Sequence, residues 1–335
     1  MAPRRMLKAA ALLITLGYCS LLVYQGGVPF NFQETRAGTV SEQVNNDLSV
    51  EAVRTTIDDI TVKNITLDDI FISVKTSKNY QDTRLPIILK TWFQLAKNQT
   101  WFFTDTDNPQ HQRQTNGHMV NTNCSDSHQR KHLCCKTSVE YDHFLDSGKK
   151  WFCHFDDDNY VNVPRLVTIL QRYNHQQEWY LGRPSVNKPL NIFTKPSERL
   201  MFSFWFATGG AGFCISRSLA LKMLPVASGG RFISVCEGIR LPDDVTMGFI
   251  IASLHWFPEH VVKNNLTLVP EFHSHLEQMK LLPVETFRDQ ISFSYSGSKD
   301  NMNVINVPGF DTRYDPTRFL SLHCFLFPHF KFCPR

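Results

Sequence analysis

The chain of 335 residues has no long run of lysine or arginine, and its formal net charge is only +4. That is too mild an electrostatic footprint for a nucleic-acid-binding protein. No Cys-x-x-Cys pair occurs, so a structural zinc site of the usual spacing is not expected. No segment repeats at a fixed period, which argues against solenoids and propellers. Glycine (16) and proline (17) are too sparse for a collagen-like or low-complexity chain. With 42% hydrophobic and 20% charged residues, neither disorder nor a fibrous fold fits. A globular enzyme or a large binding domain remains.

The N-terminus carries Arg4, Arg5 and Lys8, followed by an apolar stretch, residues 9–24, without a charge. This reads as a signal anchor, with residues 1–8 a cytosolic tail and everything after the span lumenal. Gly26 and Gly27 lend some support to the competing reading, a cleaved signal peptide. The span is short, which suits the thinner membranes of the early secretory pathway. Residues 25–66 are polar and poor in aromatics, a stem that could bury little apolar surface. Residues 67–335 form the lumenal domain. Four Asn-x-Ser/Thr triplets, at Asn64, Asn98, Asn123 and Asn265, are glycosylation candidates and agree with that topology. So do the nine cysteines. Cys324 and Cys333 bracket a short Phe- and Pro-rich segment, and Cys124 with either Cys134 or Cys135 would close a similar loop. Spacing leaves the connectivity open.

The lumenal region alternates strand and helix patterns. Residues 70–74 form a β-branched and aromatic run, residues 84–97 have helical spacing, and residues 101–105 again read as a strand. A helix over residues 129–147 leads into residues 151–155, apolar on both faces as a central parallel strand should be. Another helix follows over residues 163–173, then a short strand over residues 179–182. The expectation is an α/β sandwich with a mostly parallel central sheet flanked by helices.

Asp156, Asp157, Asp158 and Asn159 follow the strand over residues 151–155, where open α/β sheets place their ligands. Adjacent carboxylates repel, and a divalent cation relieves the repulsion, with Mg²⁺ or Mn²⁺ suited to such ligands. A solvated, helix-capping turn is the plainer reading. A second acidic pair opens a helical segment, with Asp243 as its expected N-cap and Asp244 in the first turn. His273 and His275 alternate along an extended segment, so only one of them can readily join the aspartates. Residues 204–214 combine an aromatic cluster with three glycines but match neither a P-loop nor a dinucleotide fingerprint. They suit either a sugar-binding platform or a tight bend with core aromatics.

In order, Asp-Asp-Asp-Asn at 156–159, Phe-Trp-Phe-Ala-Thr-Gly-Gly-Ala-Gly-Phe-Cys at 204–214, Leu-Pro-Asp-Asp at 241–244 and Phe-His-Ser-His-Leu at 272–276 resemble the Fringe glycosyltransferases. The likeness runs from about Asp69 to Arg335. It implies a GT-A fold and a Golgi single-pass type II membrane enzyme of the inverting β-1,3-glycosyltransferase group. The implied reaction moves N-acetylglucosamine from UDP-N-acetylglucosamine onto O-linked fucose of EGF-like repeats in Notch receptors and ligands, thereby modulating Notch signalling in development. The resemblance also implies roles for individual residues. Asp158 and His275 are expected to hold Mn²⁺, Asp157 and Arg84 to bind substrate, and Asp244 to act as catalytic base. It pairs Cys124 with Cys135, Cys153 with Cys214 and Cys324 with Cys333, leaving Cys134 and Cys236 without assigned partners. Competing functions are a lumenal glycan-binding protein, a metal-dependent hydrolase, and a related β-1,3-glycosyltransferase with another acceptor.

Overall fold

Strand β1 (Ile70–Lys75) lies near the middle of a seven-stranded sheet, and its alternating side chains serve two separate cores. Ile70, Ile72 and Val74 enter one cluster while Phe71 enters the other, as the two-residue period of a strand requires. The computed structural model describes residues 65–195, 200–254, 266–274, 279–295 and 302–334, all inside one compact unit, Thr56–Arg335. The expected tail, anchor and stem up to residue 64, together with Asn64, Asn265 and His275, lie outside the described residues. Ile65 is buried in the core, and its carbonyl accepts from Gln171 at 2.8 Å. Among the described residues, no single helix is long and apolar enough to cross a membrane.

Two short helices, α1 (Lys78–Gln81) and α2 (Leu85–Lys90), lead to β2 (Thr100–Thr104). They are followed by α3 (Pro109–Gln114), β3 (Met119–Asn121), the long α4 (Arg130–Ser147) and β4 (Trp151–Asp156). Next come β5 (Asn159–Val161), α5 (Val163–Leu170), β6 (Tyr180–Gly182) and a hairpin of β7 (Leu190–Lys195) and β8 (Leu200–Phe204). The chain continues through β9 (Phe213–Ser216), α6 (Arg217–Ala227), α7 (Arg231–Ile239) and α8 (Asp243–Ser253). It finishes with β10 (Leu266–Leu268), β11 (Ser292–Ser294) and α9 (Phe319–Leu326).

The sheet order is β10-β6-β9-β4-β1-β2-β3. β1 pairs in parallel with β2 and β4, β2 with β3, and β6 with β10, while β9 runs antiparallel between β4 and β6. This is the expected mostly parallel sheet, with helices on both faces. Leu85 and Ile88 of α2, Leu166 and Ile169 of α5, and Phe319 and Leu322 of α9 fill one core. Phe144 of α4, Met223 of α6, Phe232 of α7 and Ile250 of α8 fill the other. Phe152, fully buried in the latter, stacks with Phe71, and its truncation to alanine would cost about 3–5 kcal/mol.

The helical spacing over residues 84–97 resolves into α2 and a separate 3-10 turn, Trp92–Leu95. The Thr91 hydroxyl donates back to the Ile87 carbonyl, and the Trp92 indole N–H donates to the Asn159 carbonyl. That long-range bond holds Trp92 against the acidic loop. Four disulfides bind the described residues together. Cys124–Cys135 and Cys324–Cys333 close short loops, Cys153–Cys214 joins directly paired positions of β4 and β9, and Cys134–Cys236 fastens α4 to α7. Asn98 and Asn123 are both exposed.

Candidate active site

The carboxyl ends of β1 and β4 lie side by side, Lys75 in register with Asp156, because the two strands are parallel neighbours. A cleft of about 760 Å³ opens there. Its lining includes Lys75, Thr76, Tyr80 and Arg84 from the first crossover, Asp156, Asp157 and Asp158, and Gly209, Gly210, Asp243 and Asp244. Four of the expected site residues, Arg84, Asp157, Asp158 and Asp244, therefore share one cavity.

The three consecutive aspartates have different environments. Asp156 lies 3.6 Å from the Lys75 ammonium and 3.6 Å from His154 Nε2. Burial raises its carboxyl, but these cations outweigh burial and hold it well below the usual range. Asp157 accepts from Arg84 at 2.6 Å and from the Thr76 hydroxyl at 2.8 Å, while burial still pushes it upward. Asp158 has only long contacts, 3.4 Å from Ser294 Oγ and 3.6 Å from Arg84. Burial, and then the neighbouring Asp156, push it up to about 8.

The loop carrying these groups is anchored from below. Asn159 accepts from the Asp156 N–H at 2.9 Å and donates to the Gly210 carbonyl at 3.0 Å. β5 then pairs with β11, whose Ser292 hydroxyl donates to the Ala211 carbonyl at 2.6 Å. Gly212 adopts φ 82°, and a Cβ there would lie 2.4 Å from the Phe155 ring. Close packing and a left-handed backbone both require glycine at this point. The glycine-rich segment is thus the bend that links the acidic loop to the second acidic pair.

Asp244 sits at that junction. Its Oδ2 accepts from the Gly209 N–H at 3.3 Å and its Oδ1 from the Val245 N–H at 2.8 Å. Burial, then the adjacent Asp243, push it up to about 6. Asp243 is not the N-cap expected from the sequence. Pro242 holds that position, and Asp243 turns inward to Lys75 at 2.6 Å and Thr137 at 2.8 Å. A buried lysine beneath the site outcompetes the free N–H groups of the helix for this carboxylate. Burial alone would raise Asp243, but Lys75 draws it below the usual range.

The structure also brings in residues to which the sequence assigned no role. Lys75 is the strand-ending charge after an apolar run, and that position is the signal that could have identified it. His154, hidden within the apolar β4, lies 2.6 Å from Glu140 of α4, and Ser73 donates to the same Glu140 oxygen at 2.8 Å. Burial lowers the imidazole pKa, but Glu140 and Asp156 together outweigh it and raise the pKa to about 9. Lys136 donates to Asp105 at 2.6 Å and to the Thr76 carbonyl at 2.9 Å, bracing one wall. His273 lies with its Nε2 2.7 Å from Gln290 in a buried contact. Among the described residues, no group of three His, Cys, Asp or Glu side chains could hold a metal ion. The donor chemistry nevertheless fits a cation at Asp158, the aspartate of the three whose oxygens have only distant partners.

A mostly parallel sheet with an acidic loop at its carboxyl edge, facing a second acidic pair across one cleft, is a GT-A-like α/β arrangement. The chain belongs to the Fringe family, whose model, described as Fringe-like, matches residues 65–330. It is 62% identical over 271 residues to "Fringe glycosyltransferase" of Drosophila melanogaster, covering 80% of this chain and 64% of the fly protein. It is 47% identical over 275 residues to "Beta-1,3-N-acetylglucosaminyltransferase lunatic fringe" of Danio rerio, covering 81% and 72%. Identity to "Beta-1,3-N-acetylglucosaminyltransferase radical fringe" of Gallus gallus is 47% over 276 residues, again covering 81% and 72%. The chain thus spans less than two thirds of the length of the fly relative it matches.

Proposed function

We propose that the chain is an inverting glycosyltransferase that moves N-acetylglucosamine from UDP-N-acetylglucosamine, in β1,3 linkage, onto O-linked fucose of EGF-like repeats of Notch type. In this reading it is a Golgi type II membrane protein with residues 67–335 in the lumen. The observation that carries the reaction class is the placement of Asp158 and Asp244 in the walls of one cleft. The names of the fish and chicken relatives support the donor sugar and the linkage.

Asp158, with His275 from outside the described residues, would hold Mn²⁺. Bound there, the ion would supply charge neutralisation for the leaving diphosphate. Arg84, fixed by Asp157 and stacked on Tyr80 at 3.8 Å, binds the donor and keeps the acidic loop in one geometry. Asp244 accepts the proton from the attacking fucose hydroxyl. Its raised pKa, about 6, leaves it ionised near neutrality yet more basic than an ordinary carboxylate. General-base help of this kind is worth about 10² to 10⁴ in rate. A single displacement at the anomeric carbon converts an α-linked donor to a β-linked product through an oxocarbenium-like transition state.

The test incubates the full chain with UDP-N-acetylglucosamine, Mn²⁺ and an O-fucosylated EGF-like repeat. The expected product is that repeat with one added N-acetylhexosamine, detected by mass. Transfer to other sugars but not to O-fucose would keep the reaction class and discard the acceptor.

A further inference from the structure

Behind the cleft, one ammonium touches both acidic pairs. Lys75 Nζ lies 2.6 Å from Asp243 and 3.6 Å from Asp156, with a side-chain exposure of only 11%. Its three polar neighbours come from two elements, α8 and β4. Asp243 opens α8, Asp156 ends β4, and His154 Nε2, one register step back on β4, approaches Lys75 to 3.4 Å. Thr137 of α4 donates to the same Asp243 oxygen at 2.8 Å. Four elements, β1, β4, α4 and α8, therefore meet on the Lys75–Asp243 pair. A buried ion pair held this way contributes little net stability and can specify geometry.

We propose that Lys75 and Asp243 are positioning residues for sugar transfer: Lys75 pins Asp243, and that fixes the first turn of α8 so that the adjacent Asp244 faces the cleft. The inference rests on the reading of Asp244 as base. The division of labour is physical. Two consecutive buried carboxylates repel, so they function at neutral pH only if one is neutralised. Lys75 neutralises Asp243, leaving Asp244 to take its bonds from the Gly209 and Val245 N–H groups and to carry the variable proton. The charged and titratable groups facing Asp244 are Asp243 on its own helix, Lys75 from β1 and Tyr180 from β6. Those facing Asp243 are Lys75 and His154.

The experiment uses Asp243→Asn and Lys75→Met in the full chain, with UDP affinity measured in Mn²⁺ alongside pH profiles of transfer. Asp243→Asn keeps the shape but removes a negative neighbour and leaves Lys75 with only the longer Asp156 contact. Both changes favour ionised Asp244, so the acid limb of kcat/KM should move down by about one pH unit. Misplacement of the base should also lower kcat by about 10- to 100-fold in both variants, with UDP affinity unchanged. An unmoved acid limb and near-normal kcat in Asp243→Asn would overturn the inference. So would a Lys75→Met variant that loses UDP affinity but keeps kcat at saturating donor, because Lys75 would then be a phosphate ligand. If either variant fails to fold, Thr137→Val removes only the second bond to Asp243 and should lower kcat at constant donor KM; an unchanged kcat there also overturns the inference. Asp244→Asn run in parallel separates the two ideas. Near-normal turnover in that variant removes the base reading itself, whereas lost turnover there beside an unaffected Asp243→Asn removes only the positioning role.

Discussion

Arg84 Nη1 donates to Asp157 Oδ1 at 2.6 Å while its guanidinium lies 3.8 Å from the centre of the Tyr80 ring. The bond ties the residue before α2 to the acidic loop after β4, and the ring fixes the plane of the guanidinium. Arg84→Lys keeps the charge but loses the planar donor and the stack. Arg84→Lys and Arg84→Ala should both weaken UDP binding at least about tenfold, or ~1.4 kcal/mol. Calorimetric titration with UDP and Mn²⁺ checks this, and wild-type affinity in Arg84→Lys would show that charge alone suffices.

Asp158→Asn should abolish the dependence of UDP binding on Mn²⁺ while leaving the fold intact. Without metal, folding near neutrality must protonate a buried carboxyl that is pushed up to about 8, and asparagine carries no such cost. Its melting temperature without metal should therefore equal or exceed that of the wild type, and a large fall would mean that Asp158 holds the loop together structurally.

The rate of transfer should fall at low pH. A base must be deprotonated to act, and Asp244 is pushed up to about 6, so with Mn²⁺ saturating at every pH, kcat/KM should lose about tenfold per pH unit below that point and level off above it. A profile flat down to the ordinary carboxylate range, near pH 4, would contradict the environment described for Asp244.

Cys134–Cys236 closes a long loop, with a sequence separation of 102 residues, and joins α4 to the helix that precedes Asp243. The double variant Cys134→Ser and Cys236→Ser should lose about 2–5 kcal/mol of stability in urea unfolding. A loss far below that range would mean that packing of α4 on α7 already fixes the pair.

Much of this architecture was legible in the sequence because apolar runs buried on both faces have few alternatives. β1, β4 and α4 fall within a residue or two of their expected bounds. The carboxylates were legible for a related reason, since charges at the end of such a strand have nowhere to go but the sheet's ligand edge. Contacts between segments distant in sequence were not legible. Cys134 and Cys236 lacked partners, Asp243 looked like a cap until Lys75 was placed beneath it, and His154 read as one more core position in an apolar strand. The antiparallel insertion of β9 between β4 and β6 likewise leaves no local pattern in residues 213–216.

The most direct measurement is the turnover of Asp244→Asn on an O-fucosylated EGF-like repeat, with UDP and Mn²⁺ affinity determined on the same preparation. Binding should be unchanged, with a loss of about 10² to 10⁴ in kcat. Near-normal turnover with intact binding would contradict the role of Asp244 as base.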